Sequence, residues 1–333
     1  MTSALAPELP ATSMADTRQS APPDTMWRQV LRSRRVLIGG GILLTMALLC
    51  VATLPWTLST HHTSGSQGIA RYQAMNPDKV RHPPAWSWHS AEGWFGYDTL
   101  GRSVLVRSLL GGTISLAVGL AAAAIAVLLG VVVGLVAGFR GGWIDAFLMR
   151  FVDIMYGLPY VLLVILFKIA FEQPLVDVFK LSTQSASLIV LFSAIGLVSW
   201  LTMSRVVRGQ VLSLRSQPFI EACRAMGLKQ RRIFLRHILP NLVGPITVYA
   251  TLTVPSAILQ ESFLSFLGIG VNKPLATWGS LAGEGVEQLS PLKFYWWLLL
   301  FPCTLLATTL LSLNFLGDGL RDVFDPKKEA AKI

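Results

Sequence analysis

The residue patterns of the common catalytic and nucleotide-binding sites do not occur in this sequence. There is no G-x-x-x-x-G-K-[ST] phosphate loop, no H-E-x-x-H zinc motif and no G-x-S-x-G nucleophile turn. Four of the five histidines, His61, His62, His82 and His89, lie in one polar stretch, but their spacing matches no compact metal site. The sequence therefore predicts no enzyme, no metal site and no cofactor held by this chain.

The most strongly patterned polar stretch is residues 205–240. It carries eight basic side chains and a single acidic one, Glu221. Long apolar segments flank it on both sides, and short basic loops between membrane spans stay on the cytoplasmic side. A polar segment held out of the membrane in this way is either solvated or docked on a cytoplasmic partner.

The composition predicts a polytopic membrane protein. Hydrophobic residues make up 53% of the 333 residues and charged residues 14%, and the mean hydropathy is +0.56. A soluble domain carries about 25% charged residues. The net charge of +10 does not indicate a nucleic-acid partner, because the basic residues cluster at the ends of apolar segments that contact lipid.

Six apolar segments are long enough to cross a membrane. They run over residues 36–58 and about 109–139, 144–171, 187–203, 238–259 and 294–316. We expect residues 1–35 to form a disordered basic tail, 59–108 an outside segment and 321–333 a C-terminal tail. This arrangement places 19 of the 28 Lys and Arg residues inside and nine outside, so both termini are predicted to be cytoplasmic.

The second predicted span contains glycine at every fourth position, at Gly130, Gly134 and Gly138. Small residues at this spacing let two helix backbones approach closely. The stripe is therefore predicted to pack against another helix, either within this chain or in a partner.

Proline and glycine also interrupt two predicted spans. Tyr156, Gly157 and Pro159 lie where the third span can bend, while Pro245 and Pro255 predict a flexible or broken fifth span. Bent and broken helices often line transport paths. These five residues are our candidates for pore-lining positions, with ordinary kinked packing as the alternative.

The basic stretch contains a motif with a known counterpart. Residues 221–227, E-A-C-R-A-M-G, followed by I-L-P at 238–240, resemble the EAA signature of bacterial ABC-importer permeases. In that family the motif forms a coupling helix that docks on the ATP-hydrolysing subunit. We expect this helix over 217–232, because Pro218 can start a helix and Gly227 can end one or turn the chain. The resemblance assigns coupling to Glu221, Ala222, Ala225, Gly227, Ile238, Leu239 and Pro240, and a small Cys223 replaces the usual second Ala.

Two further stretches look like those of dipeptide and oligopeptide permeases. Residues 94–107, W-F-G-Y-D-T-L-G-R-S-V-L-V-R, match a family pattern except at Tyr97 and Ser103. Within 260–293, E-S-F-L-S-F-L-G-I-G and the later W-G match another, and we expect a re-entrant or surface turn at the outer mouth. Its motif residues are Glu261, Ser265, Gly268, Gly270, Trp278 and Gly279.

The resemblance extends from Trp94 to Pro326 and implies an all-α membrane protein of six transmembrane helices. The implied architecture is MetI-like (type I), with a core permease domain over 109–320. It further implies a permease of the dipeptide, oligopeptide or nickel type in the cell inner membrane. Its partners would be a homologous second permease, two ATP-binding ABC subunits and an external solute-binding protein. The alternatives are an ion-coupled secondary transporter or channel, or the same importer type carrying a non-peptide solute.

Overall fold

A computed structural model describes residues 31–63, 66–87, 91–289 and 293–324. Its helices are α1 (Arg34–Ala52), α2 (Leu54–Leu58), α3 (Val104–Arg140), α4 (Gly142–Tyr156), α5 (Tyr160–Asp177), α6 (Thr183–Arg215), α7 (Pro218–Ala225), α8 (Gln230–Ile233), α9 (Leu239–Phe266), α10 (Trp278–Val286) and α11 (Trp297–Phe324). A π-helical turn, Phe234–Ile238, joins α8 to α9. An antiparallel hairpin, β1 (Thr60–Thr63) and β2 (Ser66–Ala70), and three 3₁₀ turns, Arg71–Gln73, Pro77–Lys79 and Ala91–Gly93, lie between α2 and α3. Most of the two predicted tails lies outside the described residues.

The described residues contain five helical stretches that are long and apolar enough to cross a membrane. These are Arg34–Leu58, Val104–Arg140, Thr183–Arg215, Gln230–Phe266 and Trp297–Val323. A sixth span results if α4 and α5 are counted together. The predicted all-α membrane fold is confirmed.

The third predicted span is a broken one. Helices α4 and α5 meet at 92°, and the break falls at residues 157–159. Pro159 has no backbone N–H to continue the series of helical hydrogen bonds. Its ring also disfavours the helical conformation for the preceding residue, Leu158. The span predicted over 144–171 therefore bends where the sequence predicted, and it consists of two helices with different directions.

The fifth predicted span was expected to be flexible or broken, but it is one continuous helix. Helix α9 runs without a break through Pro245 and Pro255. Each proline removes one backbone hydrogen bond, but the helix packs along α3 and α11 and buries Leu242, Val248 and Ile258. This packing holds the helix together across both prolines.

The glycine stripe of α3 packs against α6 within this chain. A β-carbon added to Gly130 would lie 2.5 Å from the Cβ of Met203, and one added to Gly134 would lie 2.6 Å from the carbonyl oxygen of Ser204. One added to Gly138 would lie 2.8 Å from a side chain of α6. The structure thus decides between the two partners that the sequence left open.

We expect Gly134→Ala to destabilise the protein by about 1–3 kcal/mol, because the new methyl group must push apart two tightly packed backbones. Gly209→Ala on α6 is the matched control, since nothing lies within 4 Å of its added β-carbon. Thermal unfolding of the detergent-solubilised protein should give a lower Tm for Gly134→Ala only. Equal Tm values would contradict the close packing of α3 and α6.

Candidate functional site

Helix α7 presents one face to solvent and packs the other against the protein. It begins with Pro218 after Gln217, and proline suits the first helical position. Glu221 lies in the first turn and is exposed, where a negative charge interacts favourably with the helix dipole. On the opposite face Ile220 and Cys223 are buried.

Gly227 ends α7 and turns the chain. Its φ is +75°, a left-handed conformation that glycine adopts without steric cost. Its N–H donates to the carbonyl of Arg224 at 2.9 Å, and the N–H of Leu228 donates to that of Cys223 at 3.1 Å, the pair of bonds that defines a Schellman cap. The single coupling helix expected over 217–232 is consequently two helices, α7 and α8.

A buried apolar group, here called the coupling cluster, attaches α7 to the membrane helices. Its members are Met203, Val207, Val211, Ile220, Cys223, Ile233, Ile238 and Leu242. They come from the end of α6, from α7, and from the continuous stretch that leads through α8 into α9. Cys223 therefore makes its close contact with this chain's own core.

The motif residues divide between the exposed surface and this cluster. Glu221, Ala222, Ala225, Gly227 and Pro240 are exposed, Leu239 is half-buried and Ile238 is buried. The exposed residues around the Glu221 carboxylate include the small Ala222 and Ala225 as well as the larger Phe219 and Met226. Such a surface is suited to close contact with another protein.

Three of the eight basic residues bind within the chain. The guanidinium of Arg208 donates to both carboxylate oxygens of Asp145, and that of Arg205 donates to Asp153 at 2.7 Å. Arg215 donates to two carbonyls at the end of α3, at 2.8 and 3.1 Å. The other five are exposed: Arg224, Lys229, Arg231, Arg232 and Arg236. Three basic residues of this stretch thus join α6 to α3 and α4, and the other five present positive charge at the surface.

An ion-pair network, here called the latch, joins the residues before α3 to α10. Asp98 accepts hydrogen bonds from Arg102 at 2.7 Å and from Arg107 at 2.8 Å. Arg107, which is 2% exposed, also binds both oxygens of Glu284 at 2.6 and 3.0 Å. Burial alone would raise the pKa of Glu284, but its hydrogen bonds and charge interaction with Arg107 lower that pKa below its ordinary value.

Glu261 is fully buried inside the bundle. Ser115 on α3 donates to one carboxylate oxygen at 3.0 Å, and Ser265 donates to the other at 2.7 Å. The backbone N–H of Trp278 in turn donates to Ser115 at 3.3 Å. These hydroxyl groups supply hydrogen bonds in place of the water molecules that a carboxylate loses on burial.

The outer-mouth motif is mostly buried, which contradicts the surface turn and leaves the re-entrant turn as the prediction. Helix α9 continues to Phe266, and Gly268, with φ of +79°, closes it with a second Schellman cap. A β-carbon on Gly270 would overlap Ser265, and one on Gly279 would overlap Ser262. The motif residues therefore serve close packing between α9 and the segment that begins α10.

Lys168 was not singled out from the sequence. Its ammonium group donates to the carbonyls of Ile269 and Gly270 at 3.0 and 2.6 Å. It also lies 3.7 Å from a carboxylate oxygen of Glu172. The i,i+4 spacing of Lys168 and Glu172 was visible in the sequence, but the carbonyl partners lie a hundred residues away.

A cavity of about 550 Å³ lies among the α4–α5 break, α6 and α9. Tyr156 lines it, and its hydroxyl lies 2.9 Å from that of Thr202. Gly157 and Pro159 form the adjacent break. Pro245 and Pro255 are not among the residues that line the cavity; α9 contributes polar residues between and beyond them.

The predicted outside segment does not bring histidines together in the part that the structure describes. His82 is exposed, while the side chains of His61, His62 and His89 lie outside the described residues. Among those that are described, no three His, Cys, Asp or Glu side chains form a group that could hold a metal ion.

Comparison with known proteins assigns this architecture to a family. Residues 130–330 match the family described as the binding-protein-dependent transport system inner membrane component. The chain belongs to this family. It is accordingly a transporter permease component and not an enzyme, and it crosses the membrane several times.

Relatives within this family are named as peptide permeases. The chain is 49% identical to the oligopeptide transport system permease protein OppC of Salmonella typhimurium over 236 residues, which is 70% of this chain and 72% of that protein. It is 39% identical to the dipeptide transport system permease protein DppC of Bacillus subtilis over 301 residues, 90% of this chain and 84% of that protein.

Solved structures show the fold of this permease family. A structure titled as an inward-facing conformation of the MetNI methionine ABC transporter matches with a TM-score of 0.51 at 18% identity. The match covers 64% of this chain and 94% of the other. The MetI-like architecture expected from the motifs is thereby confirmed.

The latch predicts a pH-dependent stability for this permease. Because the folded-state pKa of Glu284 is lowered, its carboxylate stabilises the fold above its unfolded-state pKa of about 4.3. That contribution disappears as the pH falls through the folded-state pKa. The Tm difference between wild type and Glu284→Gln should be large at pH 7 and shrink at pH values below about 4.

The matched control is Glu287→Gln, an exposed carboxylate one turn further along. Its Tm should follow that of the wild type at each pH. A difference between wild type and Glu284→Gln that stays constant across the pH range would show that the latch does not depend on this charge.

Proposed function

We propose that this chain is one of two homologous permease subunits of an ATP-driven peptide importer in the cell inner membrane. Two ATP-binding ABC subunits and an external solute-binding protein complete the complex, and ATP is bound by the ABC subunits. The observation that carries the proposal is helix α7. Its exposed face carries Glu221, and its opposite face is fixed in the coupling cluster.

Peptides are the proposed cargo. The names of the relatives in Salmonella and Bacillus refer to oligopeptides and dipeptides. The resemblance at residues 94–107 and 261–279 points in the same direction. The candidate pore-lining residues, led by Tyr156, would form this chain's half of the path.

Both termini are proposed to be cytoplasmic. The positive-inside bias supports this, since 19 of 28 basic residues then lie inside. The five exposed basic residues of the stretch 205–240 would face the ABC subunits. Residues 94–107 and the latch would face the binding protein's side of the membrane.

Motion is proposed to pass from the ABC subunits to the membrane helices through α7. The coupling cluster joins α7 to the ends of both α6 and α9, so a displaced α7 must carry these two helices with it. The pairs Arg208–Asp145 and Arg205–Asp153 tie α4 to the same end of α6. All three helices border the cavity, so its shape would change with the position of α7.

We expect Glu221→Lys to abolish peptide uptake while leaving the permease folded in the membrane. The side chain is exposed and has no role in the core, so only docking should suffer. Uptake by cells and copurification of the ABC subunits with the tagged permease measure the two effects. Glu287→Lys, the same charge reversal at an exposed site near the latch, should retain both.

Gly227→Pro tests the turn that follows α7. Proline excludes a positive φ and removes the N–H that bonds to Arg224, so α7 should lose its fixed orientation and uptake should fail. Normal uptake by a stably inserted Gly227→Pro or Glu221→Lys protein would refute the coupling role.

Cysteine labelling tests the orientation. Arg231→Cys, in a background whose three native cysteines are replaced, should react with a membrane-impermeant maleimide only in inverted vesicles. The exposed side chain makes the position accessible. Labelling from outside intact cells would reverse the proposed topology and remove α7 from the ABC subunits.

A further inference from the structure

The wall of the cavity carries no charge of its own. Among the described residues that line it, none is Asp, Glu, Lys, Arg or His. Its polar groups are instead the neutral side chains of Ser199, Thr202, Thr253, Ser256 and Gln260, together with three tyrosines. A cavity that is polar yet uncharged offers hydrogen bonds without a preference for either sign of charge.

Two of these neutral groups lack a partner in the part of the chain that the structure describes. The hydroxyl oxygen of Ser199 and the amide oxygen of Gln260 are buried and form no hydrogen bond to any described residue. A buried polar group without a partner costs free energy. Both residues line the cavity.

The hydroxyls on α9 are free to accept hydrogen bonds. Thr253 donates to the carbonyl of Tyr249 at 2.8 Å, and Ser256 donates to that of Leu252 at 3.1 Å. Each hydroxyl proton is therefore used within the helix, while the oxygen keeps a lone pair for another donor. The amide N–H groups of a peptide backbone are such donors.

Two cationic side chains of the elements that border the cavity have partners within the protein. Arg205, whose guanidinium carbon lies 4.2 Å from the centre of the Tyr156 ring, is paired with Asp153. Lys168 on α5 binds two carbonyls and lies near Glu172. Neither cation is therefore without a partner.

We propose that this wall binds the backbone of a peptide through neutral hydrogen bonds and does not select its side chains by sign of charge. The inference rests on the proposed function and adds to it which groups contact the solute. Thr253 is central because it lies in the wall on an unbroken helix. A fixed charge there should create the selectivity that the wild-type wall lacks, since charges in a site of low dielectric interact strongly.

The experiment uses the complete importer, purified through a tag on this chain and reconstituted in vesicles with its binding protein. Uptake of three peptides is measured: trialanine, Ala-Lys-Ala and Ala-Glu-Ala. Each variant is compared with wild type for the same peptide, which removes any preference of the binding protein. Thr253→Asp should lower Ala-Glu-Ala uptake at least about tenfold relative to Ala-Lys-Ala, and Thr253→Lys should do the reverse.

Two controls separate charge from damage to the fold. Thr253→Asn has a size similar to Asp without its charge and should affect the three peptides equally. Thr247→Asp places the same charge on α9 at a threonine that bonds in the same way to Val243 but does not line the cavity. It should not distinguish the peptides.

The outcomes separate the two proposals. If wild type transports the peptides but both charged variants change all three uptakes equally, the wall does not contact the solute and the inference is wrong. If wild type itself already favours one sign and Thr253→Asn abolishes that preference, the wall selects charge and the inference is again wrong. If the wild-type complex transports none of the three peptides, the peptide cargo proposed above is refuted, and the inference with it.

Discussion

The contact of Ile220 and Cys223 with the coupling cluster is the constraint on which the rest of this permease depends. Helix α7 has only eight residues, too few to be stable alone in water. Its position is set by burial of its apolar face between the ends of α6 and α9. A short helix fixed in this way can present an exposed carboxylate at a defined place. It can also pass a force into two membrane helices at once.

The other end of the bundle is held by charged and polar groups. Asp98, Arg107 and Glu284 form a buried network between the start of α3 and α10, and Glu261 binds hydroxyls from α3 and α9. Removing one partner of the ion-pair network leaves an uncompensated charge in a low-dielectric setting, which costs much more than the intact network contributes. The helices are thus joined by the coupling cluster and the ion pairs of α6 at one end, and by this network and the Glu261 contacts at the other.

Between these two ends lies a cavity whose wall is neutral. Three structural elements of different kinds border it: the break between α4 and α5, the long helix α6, and the proline-containing α9. The break supplies Tyr156 and exposes backbone that a straight helix would keep bonded. Because α6 and α9 both begin or end in the coupling cluster, the cavity is mechanically connected to α7.

The sequence by itself determined the class, the family and most of the helices of this protein. Apolar runs of about 20 residues and the motif around Glu221 suffice for this, because both are local patterns. The turn at Gly227 and the break before Pro159 were also readable, since each follows from the allowed backbone angles of one residue. The glycine stripe was recognised, but not the helix against which it packs.

Only the tertiary structure decided what joins residues far apart in the chain. It placed Glu261, which was expected in a re-entrant or surface turn, inside the bundle, where its hydroxyl partners come from α3 as well as from the next turn of α9. It kept α9 intact across two prolines, since neighbouring helices supply contacts that no local rule includes. The partners of Arg107, Lys168 and Arg208 lie 177, 101 and 63 residues away. Such pairings depend on the three-dimensional packing of helices, which periodicity and motif spacing in one sequence do not specify.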